Sequence, residues 1–97
     1  MKESDVQKFE DDLDEIRSSH DPEQNVTPNT VLWKFLRINV HPELNAHDTL
    51  AIRHMVMNHE FDDFQEYLTE EYDLECDIKY LWYGCCAIVD GAWREAN

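Results

Sequence analysis

The chain has only two glycines, Gly84 and Gly91, in 97 residues. A loop that cradles phosphates needs several at close spacing, so that mode of nucleotide binding is excluded. Positive charge is equally scarce: eight Lys/Arg stand against 22 Asp/Glu, a formal net charge of −14. A nucleic-acid binder needs cations to neutralise phosphates, and an anionic membrane surface repels such a chain. Neither is an expected direct partner. No apolar run approaches the roughly 18 residues of a membrane span. The opening MKESDVQKFEDD has no apolar signal core. The cysteines, Cys76, Cys85 and Cys86, are odd in number, which points to reduced thiols in a cytoplasm.

What the chain does have is core material: 42% hydrophobic and 11% aromatic residues. Disordered acidic chains are poor in both. One folded domain over residues 1–97 is expected. Self-repulsion at this charge works against compactness, so the charge points to a function, and to a cationic partner.

Ser4-Asp5-Val6-Gln7 fits a capping box. Val6, Phe9, Leu13 and Ile16 then form an apolar stripe on a helix of roughly residues 5–19. Its other faces carry Glu10, Asp11, Asp12, Asp14 and Glu15. HDPEQNVTPNT reads as a polar linker. Thr27-Pro28 fits the N-cap and first residue of a second helix, with Val31, Leu32, Phe35 and Leu36 on one face. WKFLRINV also alternates as a strand, so residues 30–40 stay open between helix and strand. VHPELNAHD is a turn. Asp48 is expected to cap a helix through Asn58 that buries Leu50, Met55 and Met57. Asn58 is expected to begin the next helix, with Phe61, Phe64 and Leu68 inward and Asp62, Glu66 and Glu70 aligned outward beside Asp63.

CDIKYLWYGCCAIVDGAW is rich in β-branched and aromatic residues and holds both glycines. It predicts two or three antiparallel strands with turns near Gly84 and at Asp90-Gly91; a buried helix over Ile78–Val89 is the alternative. The expected fold class is α+β, a compact single domain of acidic helices packed with a small C-terminal antiparallel sheet. Trp33, Phe35, Phe61, Phe64, Leu68, Ile78 and Trp82 are expected in the core.

No motif predicts catalysis, and no enzyme activity is expected. His54 and His59 are five apart and His47 lies seven before His54, which gives no His-Glu-x-x-His pair. Cys-x-x-Cys is absent, and DDLDEIRSSHDPE lacks the glycine and spacing of a calcium loop. No metal or other cofactor is expected. Acid–base work by paired carboxylates needs one buried and one solvated group; here the acids come in solvated rows. There is no Gly-x-Ser-x-Gly elbow.

The rows remain. HEFDDFQEYLTEEYDLECD, residues 59–77, holds nine acids and no Lys or Arg; residues 3–23 hold nine more against Lys8 and Arg17. Charge runs are usually solvated faces, but ordinary soluble faces intersperse both signs. The candidate partner-binding residues are Asp62, Asp63, Glu66, Glu70, Glu71 and Asp73, followed by Asp11, Asp12, Asp14 and Glu15. Residues one helical turn apart lie ~5–6 Å from each other, a spacing comparable to that of phosphates along a strand. In length, in charge and in the segments FDDFQEYLTEE and FEDDLDEI, the chain resembles small acidic DNA-mimic proteins of phages and prophages, in particular type I-F anti-CRISPR proteins. The resemblance implies an inhibitor acting in the bacterial host cytoplasm. Its target would be a basic nucleic-acid-binding protein, the large subunit of a type I-F crRNA-guided surveillance complex, at the cationic surface that grips the target duplex. The alternative is an acidic adaptor, or an inhibitor of a restriction enzyme or RNA polymerase, that does not mimic DNA.

Overall fold

A computed structural model describes residues 3–19, 27–74 and 76–91. All regular structure in these residues is helical: α1 Glu3–Ser18, α2 Pro28–Asn39, α3 Ala46–Met57, α4 Phe61–Glu71 and α5 Ile78–Val89. The expected α+β fold with a C-terminal sheet is therefore corrected. Residues 78–89 form one helix, with the Asp77 side chain accepting from the Lys79 N–H at its start. Its buried residues, Tyr80, Leu81, Gly84, Cys85 and Ile88, recur at helical intervals. The β-branched and aromatic content reflects burial in a central helix, because propensity yields to packing.

Neither glycine turns a hairpin. Gly84 sits inside α5, where a Cβ would lie 2.2 Å from the Phe35 Cζ; its missing side chain lets the Phe35 ring seat against the helix. Gly91 has φ +91° and follows the helix end, where its N–H donates to the Ile88 carbonyl at 3.0 Å. Asp90-Gly91 is thus a helix stop of the left-handed kind that glycine favours.

The helix alternative for residues 30–40 holds, and Thr27 caps α2 as expected: its hydroxyl accepts from the Thr30 N–H. Three other boundaries are corrected. Ser4 lies within α1, not at its cap. Asn45, not Asp48, caps α3 by accepting from the Asp48 N–H at 2.9 Å. Asn58 closes α3 with its N–H on the His54 carbonyl, and α4 begins at Phe61 after His59 in a left-handed conformation, φ +58°. The inward face of α3 also differs: Thr49, Ile52 and Val56 are buried, while Leu50 and Met57 are 53% and 55% exposed. The linker expected from residue 20 lies outside the described residues up to residue 26, as do residues 92–93 of the supposed sheet.

Of the expected core, Phe35, Phe64 and Leu68 are fully buried. Trp33, Ile78 and Trp82 are half-buried against it, and half-buried Phe61 stands edge-on to Trp82. α5 runs through the middle. Phe9 of α1 meets Tyr83 on one side, and Phe64 of α4 meets Trp82 on another, both edge-to-face. α1 packs chiefly on α2 and α4 chiefly on α3; each also reaches α5, the most apolar helix, through these ring contacts, and the acids of both lie largely on their outward faces. No helix among the described residues is long and apolar enough to cross a membrane.

Candidate functional site

Asp62, Asp63, Glu66, Glu70 and Glu71 on α4, with Asp73 just beyond it, are all exposed. Phe64 and Leu68 point into the core, which fixes Asp62, Glu66 and Glu70 on the opposite, outer side of the helix; Glu71, three residues after Leu68, falls on the Phe64–Leu68 side and is exposed because the helix ends there. Among the described residues none of these six carboxylates is ion-paired. Asp62 and Asp63 occupy the first turn, where the helix dipole favours them; Glu70 and Glu71 occupy the last, where it does not, and no basic residue balances them there. The row is an outward anionic surface that its own helix only partly favours.

α1 is different. Asp11, Asp14 and Glu15 are exposed, but two of them have internal partners: Gln7 Nε2 donates to Asp11 at 3.1 Å, and Arg17 Nη1 donates to Asp14 at 3.2 Å. Asp12 is not on the outer surface. It is 8% exposed and accepts from the Tyr80 hydroxyl at 2.6 Å and from Asn39 Nδ2 at 3.1 Å, with Lys8 Nζ at 3.4 Å. As a partner contact Asp12 is corrected to an internal anchor joining α1 to α2 and α5. The signal was present in the sequence: Asp12 falls with Phe9, Leu13 and Ile16 on the apolar stripe. Burial, reinforced by the hydrogen bond to Asp12, pushes the Tyr80 hydroxyl far above the usual tyrosine range.

A second carboxylate with tyrosine partners joins α3 to α4. Asp48, in the first turn of α3, accepts from Tyr67 on one oxygen at 2.7 Å and from Tyr72 on the other at 2.5 Å. The Tyr72 bond, then the Tyr67 bond, hold its carboxyl below the usual range, against the opposing effect of burial. Burial and the bond to Asp48 push Tyr67 up to about 12 and Tyr72 higher still. Sequence reasoning assigned Asp48 to a cap and left both tyrosines without a role. The available signal was Tyr67, which shares the apolar side of α4 with Phe64 and Leu68.

The cations are mostly engaged within the fold. Lys8 lies 4.2 Å above the Tyr80 ring and donates to Asn39 Oδ1 at 2.6 Å. Lys34 donates to the Ser19 hydroxyl at 3.0 Å. Arg37 stacks on Trp33 at 4.6 Å and donates to the Pro42 carbonyl. Charge is also segregated along the chain. Residues 27–59 hold two acids, Glu43 and Asp48, against Lys34, Arg37 and Arg53; the rest of the chain holds twenty acids against five bases. Among the described residues no group of three His, Cys, Asp or Glu side chains is placed to hold a metal ion. Cys76, Cys85 and Cys86 are free; burial raises all three thiols, Cys85 most, which leaves them weak nucleophiles.

No family model matches the chain, and neither does any curated protein or solved structure.

Proposed function

We propose that the protein is an anionic ligand for a cationic nucleic-acid-binding surface, and that it inhibits by occupying that surface as a duplex would. The observation that carries this reading is the α4 row: six exposed carboxylates in and just beyond one helix, without a paired cation among the described residues. A target built for phosphates presents Lys and Arg at repeated spacing. Carboxylates on a rigid helix meet it with complementary potential, which speeds encounter and fixes orientation. The resemblance to type I-F anti-CRISPR proteins narrows the target to the large subunit of the crRNA-guided surveillance complex, in the host cytoplasm.

The test is competition. Purified type I-F surveillance complex is offered the protein and a target duplex together, across a salt series. Mutual exclusion, with affinity falling as salt rises, is expected. A quadruple Asp62→Asn, Asp63→Asn, Glu66→Gln, Glu70→Gln variant should stay folded and associate at least tenfold more slowly, since steering raises on-rates by about 10–10³. Simultaneous binding of protein and duplex would leave an adaptor in place of a mimic. A wild-type association rate in the folded variant would reduce the row to a solvated face.

A further inference from the structure

α4 is a poor helix by itself. It has 11 residues and no side-chain cap at its N-terminus, and Asp62, Glu66 and Glu70 repel one another at successive turns. Isolated helices of this length are marginal even with good sequences. Phe64 and Leu68 are fully buried from it, and half-buried Phe61 at its start stands edge-on to Trp82; apolar contacts confined to one side do little against rolling, and none of these three holds the helix beyond Leu68. The polar fixed points are Tyr67, one residue before Leu68, and Tyr72, which ends the helix and also lies beside the His41 ring. Both donate to the same carboxylate, Asp48, one to each oxygen. Asp48 lies in the first turn of α3, a helix with its own Asn45 cap and with Ile52 and Val56 in the core. One bond falls within α4 and the other at its end, so together they oppose both rolling and fraying.

Resting on the functional reading above, we infer that Asp48 is the positioning residue of the acidic row: by binding Tyr67 and Tyr72 it holds α4 in one orientation, and the target reads that orientation. The acid at position 48 is spent inside the fold so that the acids at 62, 63, 66 and 70 stand at fixed places. The contrast is with a diffuse negative cloud, which would attract the same target without any need for order.

Charge and position can be separated because the tyrosines are neutral. A Tyr67→Phe, Tyr72→Phe variant keeps every charge and loses both bonds. Amide exchange of the free protein should then accelerate across α4 and leave α5 close to wild type. On the purified surveillance complex the association rate should be unchanged, while dissociation should quicken on the order of tenfold. The tenfold change reflects the cost of ordering the row's side chains on binding. A role confined to stability would lower the melting temperature and leave both rates of the folded protein as they were. Unchanged α4 exchange, or an equal rise in α4 and α5, would overturn the clamp. Faster α4 exchange with wild-type dissociation would show that the row's position is immaterial. If the wild type itself fails to bind the complex, the functional reading falls, and the exchange comparison alone decides whether Asp48 fixes α4. Should the double variant not fold, Tyr72→Phe alone is measured in the same two ways.

Discussion

α1 and α4 carry similar outward chemistry and are fastened in opposite senses. α1 turns one of its own acids inward, and Asp12 accepts from Tyr80 of α5. α4 turns none of its acids inward; it contributes Tyr67, with Tyr72 at its end, to an aspartate on α3. The consequence lies at the surface. α1 gives up Asp12 to the interior and shares Asp11 and Asp14 with Gln7 and Arg17. α4 keeps its full complement of carboxylates exposed. An acidic helix can be held by sacrificing an acid or by borrowing one, and only the second leaves the outer row intact.

The two helices share one dependence, on the common core. Leu68→Asp places an unpaired charge at a site with no solvent exposure. The cost of several kcal/mol is comparable to the whole stability of a small domain, so the variant should unfold, α1 included. Far-UV circular dichroism checks this; a wild-type melting curve would refute the packing.

The anchors themselves should differ. Asp12→Ala strands the Tyr80 hydroxyl, which is buried, and should cost about 1–3 kcal/mol. Asp48→Ala strands two hydroxyls, but Tyr67 and Tyr72 are only half-buried and water can reach them; its cost should be smaller. Urea midpoints rank the pair, and the reverse order would show the α4 anchor to be the stronger.

This contrast marks what the sequence made legible. The outward rows could be read because period and charge agree on them: Asp62, Glu66 and Glu70 lie one turn apart opposite Phe64 and Leu68. The inward acids could not be read with the same ease. Asp12 breaks the apolar stripe only if its partner is unknown, and that partner, Tyr80, is 68 residues away. Asp48 suits a helix start on local grounds, and nothing local points to tyrosines 19 and 24 residues on. The C-terminal third misled for a different reason. A helix buried on most sides has little amphipathic contrast, and its Ile, Val, Tyr and Trp content imitates a strand. Gly84 looked like a turn because the Phe35 ring it admits comes from another helix.

Acid should sharpen the comparison at Asp48. Its folded pKa lies below the ordinary carboxylate value because both tyrosines bind the ionised form. The stability it contributes is therefore present above the unfolded value of about 3.9 and is lost as pH falls through the folded one. The gap in urea midpoint between wild type and Asp48→Asn should narrow below about pH 4. Tyrosine carries the opposite sign. The stability from Tyr67 is full below its ordinary value of 10.0 and fades as pH rises toward about 12. Asp48→Asn should bring the Tyr67 ionisation back toward the ordinary range, which ultraviolet titration detects. A gap that holds constant into acid would separate Asp48 from the stability of α4.

The smallest effect concerns the two ends of α4 and has a sign that differs between them. Glu70 and Glu71 lie in the last turn, where unpaired carbonyls concentrate negative potential, and no basic residue offsets them. Glu66 and Glu70 also repel across one turn. Glu70→Gln with Glu71→Gln should therefore raise stability by a few tenths of a kcal/mol. Asp62 and Asp63 lie in the first turn, where the free N–H groups favour them, and no other side chain caps that end. Asp62→Asn with Asp63→Asn should lower stability by about 0.3–1 kcal/mol, even though it removes the same amount of charge from the same −14 molecule. If net repulsion governed α4, both pairs would stabilise. If the local dipole governs, they move the melting temperature in opposite directions. On α1 the matching exchange of Asp14 should show no gain, because Arg17 already pairs it. Melts of the three variants at low salt decide the point. A shift of the same sign for both α4 pairs would mean that the row is tuned by bulk charge, and that its position along the helix is incidental to stability.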